Sequence, residues 1–136
     1  MLGAHLAGHA LTLSGLGLVH GIGHALTAHT GTPHGVALAA VLEEVMEFSA
    51  EAAAEAYETT ARALRVTPSP DWPGAAIEAV RELSRTIEIK RSLRELGVPR
   101  ASIPQIAADA VADAVTKNAP RLPAEAEVVA LLEAAY

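Results

Sequence analysis

A chain of 136 residues is long enough for one helical core and short for a two-domain enzyme. Hydrophobic residues make up 51% and aromatics only 3%, so the interior must be assembled from Ala, Leu, Val and Ile, small side chains that favour closely packed helices over sheets. A formal net charge of -6 leaves no basic stripe for phosphates and excludes a nucleic-acid binder, while the lack of cysteine excludes disulfide scaffolds, thiolate metal sites and thiol nucleophiles.

No Asp, Glu, Lys or Arg occurs before Glu43, and all six histidines fall in that uncharged segment. Length alone would permit a membrane span there, but frequent Gly, Thr and His interrupt the apolar run, and no basic segment precedes it as in a signal peptide. The expectation is a buried core, no membrane and a cytoplasmic location.

Met1 to Ser14 reads as the second half of a helix, because no capping residue precedes it; His5 and His9, one turn apart, are expected to be ordinary helix residues. A second helix runs from about Gly17 to Ala28. Gly21 and Gly23 each cost about 1 kcal/mol against alanine in mid-helix, which signals a neighbour packed tightly there. His20 and His24 share one face, and the turn Thr30-Gly31-Thr32-Pro33 brings His34 back over it. Three imidazoles in apolar surroundings suit a divalent metal or a proton carrier; packed, hydrogen-bonded core histidines fit the spacing equally well.

The third helix, about His34 to Phe48, puts Leu38, Val41, Leu42, Val45 and Phe48 inward and Glu43, Glu44 and Glu47 on the wet side. A fourth is expected over Ala50–Val66, partly capped by Ser49, with Ala53, Tyr57, Ala61 and Leu64 inward. Thr67-Pro68-Ser69-Pro70-Asp71 is the clearest loop. Asp71 or Trp72 starts a fifth helix with Pro73 in its first turn and Ile77, Val80, Leu83 and Ile87 buried; periodicity alone would carry it to Leu96. A sixth opens at Ala101-Ser102-Ile103-Pro104 and runs to about Lys117 with Ile106, Ala110 and Ala114 inward. The last spans Pro123 to Ala135 around Val128, Leu131 and Leu132. The fold class is all-α, about seven helices in a single domain over residues 1–136.

Leu16-Gly17-Leu18-Val19-His20-Gly21-Ile22-Gly23-His24-Ala25-Leu26, then Pro33-His34-Gly35-Val36-Ala37, then Val45-Met46-Glu47-Phe48, resemble the C-terminal helical domain of the iron-containing alcohol dehydrogenases, a dehydroquinate synthase-like bundle. The resemblance covers essentially the whole chain and only that domain. It implies a helix break near Glu88-Ile89-Lys90, before Ser92-Leu93-Arg94-Glu95-Leu96-Gly97-Val98. It also implies that the family's nucleotide-binding domain and an upstream helix bearing an Asp and a His ligand lie outside these residues, so that the chain reads as a truncated domain.

Carried over by position, His20 and His34 match metal ligands and His24 matches a catalytic histidine near the nicotinamide and substrate. The implied cofactors are a divalent metal, iron(II) foremost and zinc(II) next, and NAD(P) only together with the missing domain. The implied partners are further copies of the chain or a separate nucleotide-binding subunit, and a small alcohol or aldehyde. The implied function is the metal-binding part of an NAD(P)-dependent alcohol dehydrogenase; the alternatives are a non-catalytic metal-binding or oligomerising module and a maleylacetate reductase-like parent. Departures from the family pattern are Gly23 for Ala, Thr27 for Gly, Glu43 for Pro, Ser49 for Asn, and Ala119 for Asn ahead of Pro120-Arg121.

Overall fold

A computed structural model describes all residues 1–136 and contains helices and turns but no strand. The helices are α1 (Leu2–Ser14), α2 (Leu18–Thr30), α3 (His34–Ser49), α4 (Ala54–Ala63), α5 (Trp72–Thr86), α6 (Ile103–Ala112) and α7 (Glu125–Ala134), with 3-10 turns at Arg100–Ser102 and Ala114–Asn118. Seven helices were expected, and seven are found.

The core lies where α2 meets α3 and α6 and where α6 meets α7. Leu18, Ile22, Leu26, Val41, Ile106 and Val128 are essentially removed from water there, each such side chain contributing roughly 1.5–3 kcal/mol by burial. Gly21 makes the α2–α6 approach possible: a Cβ at this position would fall on Thr116 Oγ1 and press on the Ala110 carbonyl. Gly31, at φ +70, closes α2 in the left-handed conformation and starts the turn to α3. The helical pair α4–α5 forms a second, smaller cluster around Tyr57, Ala61, Ala76 and Ile77. Tyr57 donates its hydroxyl to the Met46 carbonyl at 2.7 Å, and burial pushes its phenol up to about 12.

The break after α5 is present: α5 ends at Thr86, Glu88 takes φ +54, and Leu93-Arg94-Glu95-Leu96-Gly97 is a run of turns rather than helix. Lys90 holds this segment on α3, donating to the Ala40 carbonyl at 3.0 Å and to Glu44 at 2.8 and 2.9 Å. Leu93 is fully buried and its N–H bonds the Ala135 carbonyl at 2.9 Å, fastening the turns to the C-terminus.

Several expectations are corrected. The fourth helix starts at Ala54, not Ala50, because residues 50–53 form a turn after a third helix that continues through Ser49. Leu64, Leu83 and Ile87 are exposed; α5 is covered by α3 and α4 on one side only, so its apolar stripe is wider than the surface it packs against. Glu43 is not on the wet side but 5% exposed, because Arg81 and Lys90 lie over it at 3.5 and 3.7 Å; its Oε1 has no hydrogen-bond partner. The sixth helix stops at Ala112, where Asp113 turns extended (φ -60, ψ 131), and Ala114 is exposed rather than inward.

No residue of α1 is buried, and it meets α2 at 102°. Asn118 Nδ2 donates to the Ser14 carbonyl at 2.7 Å at its C-terminal end. No single helix is long and apolar enough to cross a membrane.

Candidate metal centre

The helix pair α2–α3 gathers three of the six imidazoles. His20 and His24 come from successive turns of α2 and His34 is the first residue of α3. Their ring centroids form a near-equilateral triangle: 6.0 Å from His20 to His24, 5.5 Å from His20 to His34, and 5.4 Å from His24 to His34, the last pair stacked with planes 21° apart. His29 and the pair His5 and His9 lie outside this triangle. The two α1 rings are edge-on to each other at 4.5 Å on an exposed helix.

A metal bound at about 2.1 Å to a ring nitrogen lies roughly 3.2 Å from the ring centroid, so two histidines on a tetrahedral ion have centroids about 5.2 Å apart. His20 and His34, at 5.5 Å, and His24 and His34, at 5.4 Å, both lie close to that spacing. The chain does not close a site alone, since no group of three or more His, Asp or Glu side chains is gathered tightly enough to hold an ion.

Burial is the largest influence on His20 and pushes its imidazole below the ordinary value; repulsion from His34 and then His24 adds to it. The effect keeps His20 neutral, the form that ligates a metal. His20 also borders an apolar cavity of about 440 Å³, walled by Val19, Leu42, Val45, Met46 and Tyr57.

Two carboxylates on the α6 side complete the surroundings, and the sequence reading missed both. His24 Nδ1 lies 2.8 Å from Asp113 Oδ2, and His29 Nε2 lies 2.6 Å from Asp109 Oδ2. The Val115 N–H, and secondly His24, hold the Asp113 carboxyl below the usual range; His29, and then the Gln105 amide, do the same for Asp109. Both are therefore ionised near neutral pH, and an ionised carboxylate only accepts hydrogen bonds. The one sequence signal for them is the i, i+4 spacing of Asp109 and Asp113, hidden by reading the sixth helix through to Lys117.

The model of the Fe-containing alcohol dehydrogenase family, C-terminal, matches residues 1–136. Lactaldehyde reductase of Escherichia coli (strain K12) is 38% identical over 139 residues, a match covering 99% of this chain and 36% of that protein. Among solved structures, a 1,3-propanediol oxidoreductase superposes with a TM-score of 0.85 at 32% identity, over 89% of this chain and 33% of that one. An alcohol dehydrogenase from Oenococcus oeni superposes with a TM-score of 0.89 at 27% identity, over 96% of this chain and 35% of that one. The chain spans about a third of the length of these relatives.

Proposed function

We propose, from the premise that this chain belongs to the iron-containing alcohol dehydrogenase family as its C-terminal helical part, that it is the metal-binding portion of an NAD(P)-dependent enzyme interconverting small alcohols and aldehydes. The observation that carries the reading is the triangle of His20, His24 and His34, brought to one point by α2, the turn and α3. His20 and His34 would hold a divalent metal, iron(II) foremost and zinc(II) next, with the remaining ligands supplied from outside residues 1–136. Such an ion, when bound, supplies Lewis-acid polarisation of the substrate oxygen.

The chain's own residues do the rest at this end of the site. His24 is the proton carrier, its side chain 40% exposed and so in reach of both substrate and water. Residues 1–136 contain no βαβ unit to cradle a dinucleotide phosphate, so NAD(P) enters only with a nucleotide-binding domain or subunit. A second reading, a metal-binding or self-associating module without dehydrogenase activity, is favoured by one feature. Leu2, Leu6 and Leu13 stand exposed at 71%, 58% and 86% on a helix that nothing covers.

The test is metal content of the purified chain, loaded anaerobically with iron(II) or with zinc(II), beside His20→Ala and His34→Ala. The expected result is weakly held metal, below one equivalent because the chain supplies only part of the ligand set, that falls in both variants. No metal in the wild type after loading overturns the second reading as a self-sufficient metal-binding module, and metal undiminished in the variants overturns the assignment of His20 and His34.

A further inference from the structure

We propose that Asp113 is a positioning residue for His24: it keeps the imidazole proton on Nδ1, so that Nε2 presents a lone pair to the hydroxyl of a bound alcohol. The inference deepens the proposed function and rests on it for the identity of the proton donor.

Asp113 is held at both carboxylate oxygens. Its two oxygens have separate tasks: Oδ2 faces His24 Nδ1 at 2.8 Å, while Oδ1 accepts the Val115 N–H at 3.0 Å and so caps the 3-10 turn Ala114–Asn118. That turn is anchored in the core by Thr116, 2% exposed, whose hydroxyl donates to the Ala110 carbonyl at 2.6 Å directly against Gly21. The carboxylate cannot swing off the ring without uncapping the turn. The same extended backbone at Asp113 that ends α6 early is what aims the side chain across to α2, 89 residues away in sequence.

Because the carboxylate only accepts, the hydrogen of the short contact belongs to His24 Nδ1, and in the neutral ring the free lone pair is on Nε2. When that nitrogen takes the proton of an alcohol, the O–H bond breaks and an N–H bond forms. An alkoxide remains, and the new imidazolium charge sits beside Asp113. No electron transfer is involved in this step. The neighbouring pair supplies an internal contrast: His29 meets Asp109 through Nε2, so the same reasoning gives it the opposite tautomer.

Long-range proton–nitrogen NMR of the nitrogen-15-labelled chain, at a pH where the histidines are neutral and without metal or cofactor, reads each tautomer directly. The expected result is mainly Nδ1–H for His24 and mainly Nε2–H for His29. In Asp113→Asn the amide nitrogen becomes a donor, and the majority tautomer of His24 should reverse while that of His29 stays. Asp109→Asn should leave His24 unchanged. A wild-type His24 carrying its proton on Nε2 overturns the proposal, and so does a tautomer that survives Asp113→Asn; the wild-type spectrum decides even if the variant does not fold. The tautomers are read without metal, so failure of this proposal and failure of the metal assignment to His20 and His34 are told apart.

Discussion

Replacing Gly21 by alanine sets two effects against each other at the residue next to His20. Helix propensity alone favours alanine by about 1 kcal/mol in mid-helix. The added Cβ, however, would land on Thr116 Oγ1, which is buried and donates to the Ala110 carbonyl at 2.6 Å, and the backbone of α6 lies just behind it. Overpacking of a dense interior costs about 1–3 kcal/mol, and displacing the hydroxyl from its acceptor costs a further 1 kcal/mol or so. The clash wins, leaving a net loss of about 1–3 kcal/mol, which at roughly 3–5 °C per kcal/mol for a chain of this size is a fall in Tm of between about 3 and 15 °C. Thermal unfolding followed by circular dichroism measures it, with Gly35→Ala as control, because a Cβ there meets nothing within 4 Å. A Gly21→Ala variant as stable as the wild type or more so would refute the close approach of α2 and the Thr116 turn.

Lys90→Met should destabilise the chain by about 1–3 kcal/mol in chemical denaturation, because it strips a cation from the buried Glu43 and from Glu44 and frees the segment after α5. Leu93→Ala, at a fully buried position in a run of turns, should cost about 2–5 kcal/mol in the same assay. Asp109 and Asp113 have folded values held below the unfolded one, so the stability they contribute is present above the unfolded carboxylate value and lost as pH falls through the folded one. Unfolding free energy followed downward from neutral pH should therefore drop less steeply in the double variant Asp109→Asn/Asp113→Asn than in the wild type.

The outline of the molecule was legible because its signals are local. The turn at residues 30–33 fixes the position of His34, and the i, i+4 register of His20 and His24 needs only a helix. The break after Thr86 was legible only through the family resemblance, since the amphipathic pattern runs straight past it; what enforces it is Lys90 reaching residues 40 and 44 on α3. Glu43 looked like a solvent-facing acid because its cations come from residues 81 and 90. Asp113 was hidden for a related reason. Nothing in Val111-Ala112-Asp113-Ala114-Val115 announces a helix end, and the partner that gives the carboxylate its role lies on α2.

The central claim is that His20 and His34, and not another pair among six histidines, bind the metal. Cobalt(II) titrated into the chain and followed by paramagnetic proton NMR tests it residue by residue. Hyperfine-shifted imidazole resonances are expected that are lost in His20→Ala and in His34→Ala and persist in His5→Ala and His9→Ala. Shifted signals that vanish in the α1 variants and survive in His20→Ala and His34→Ala would contradict it.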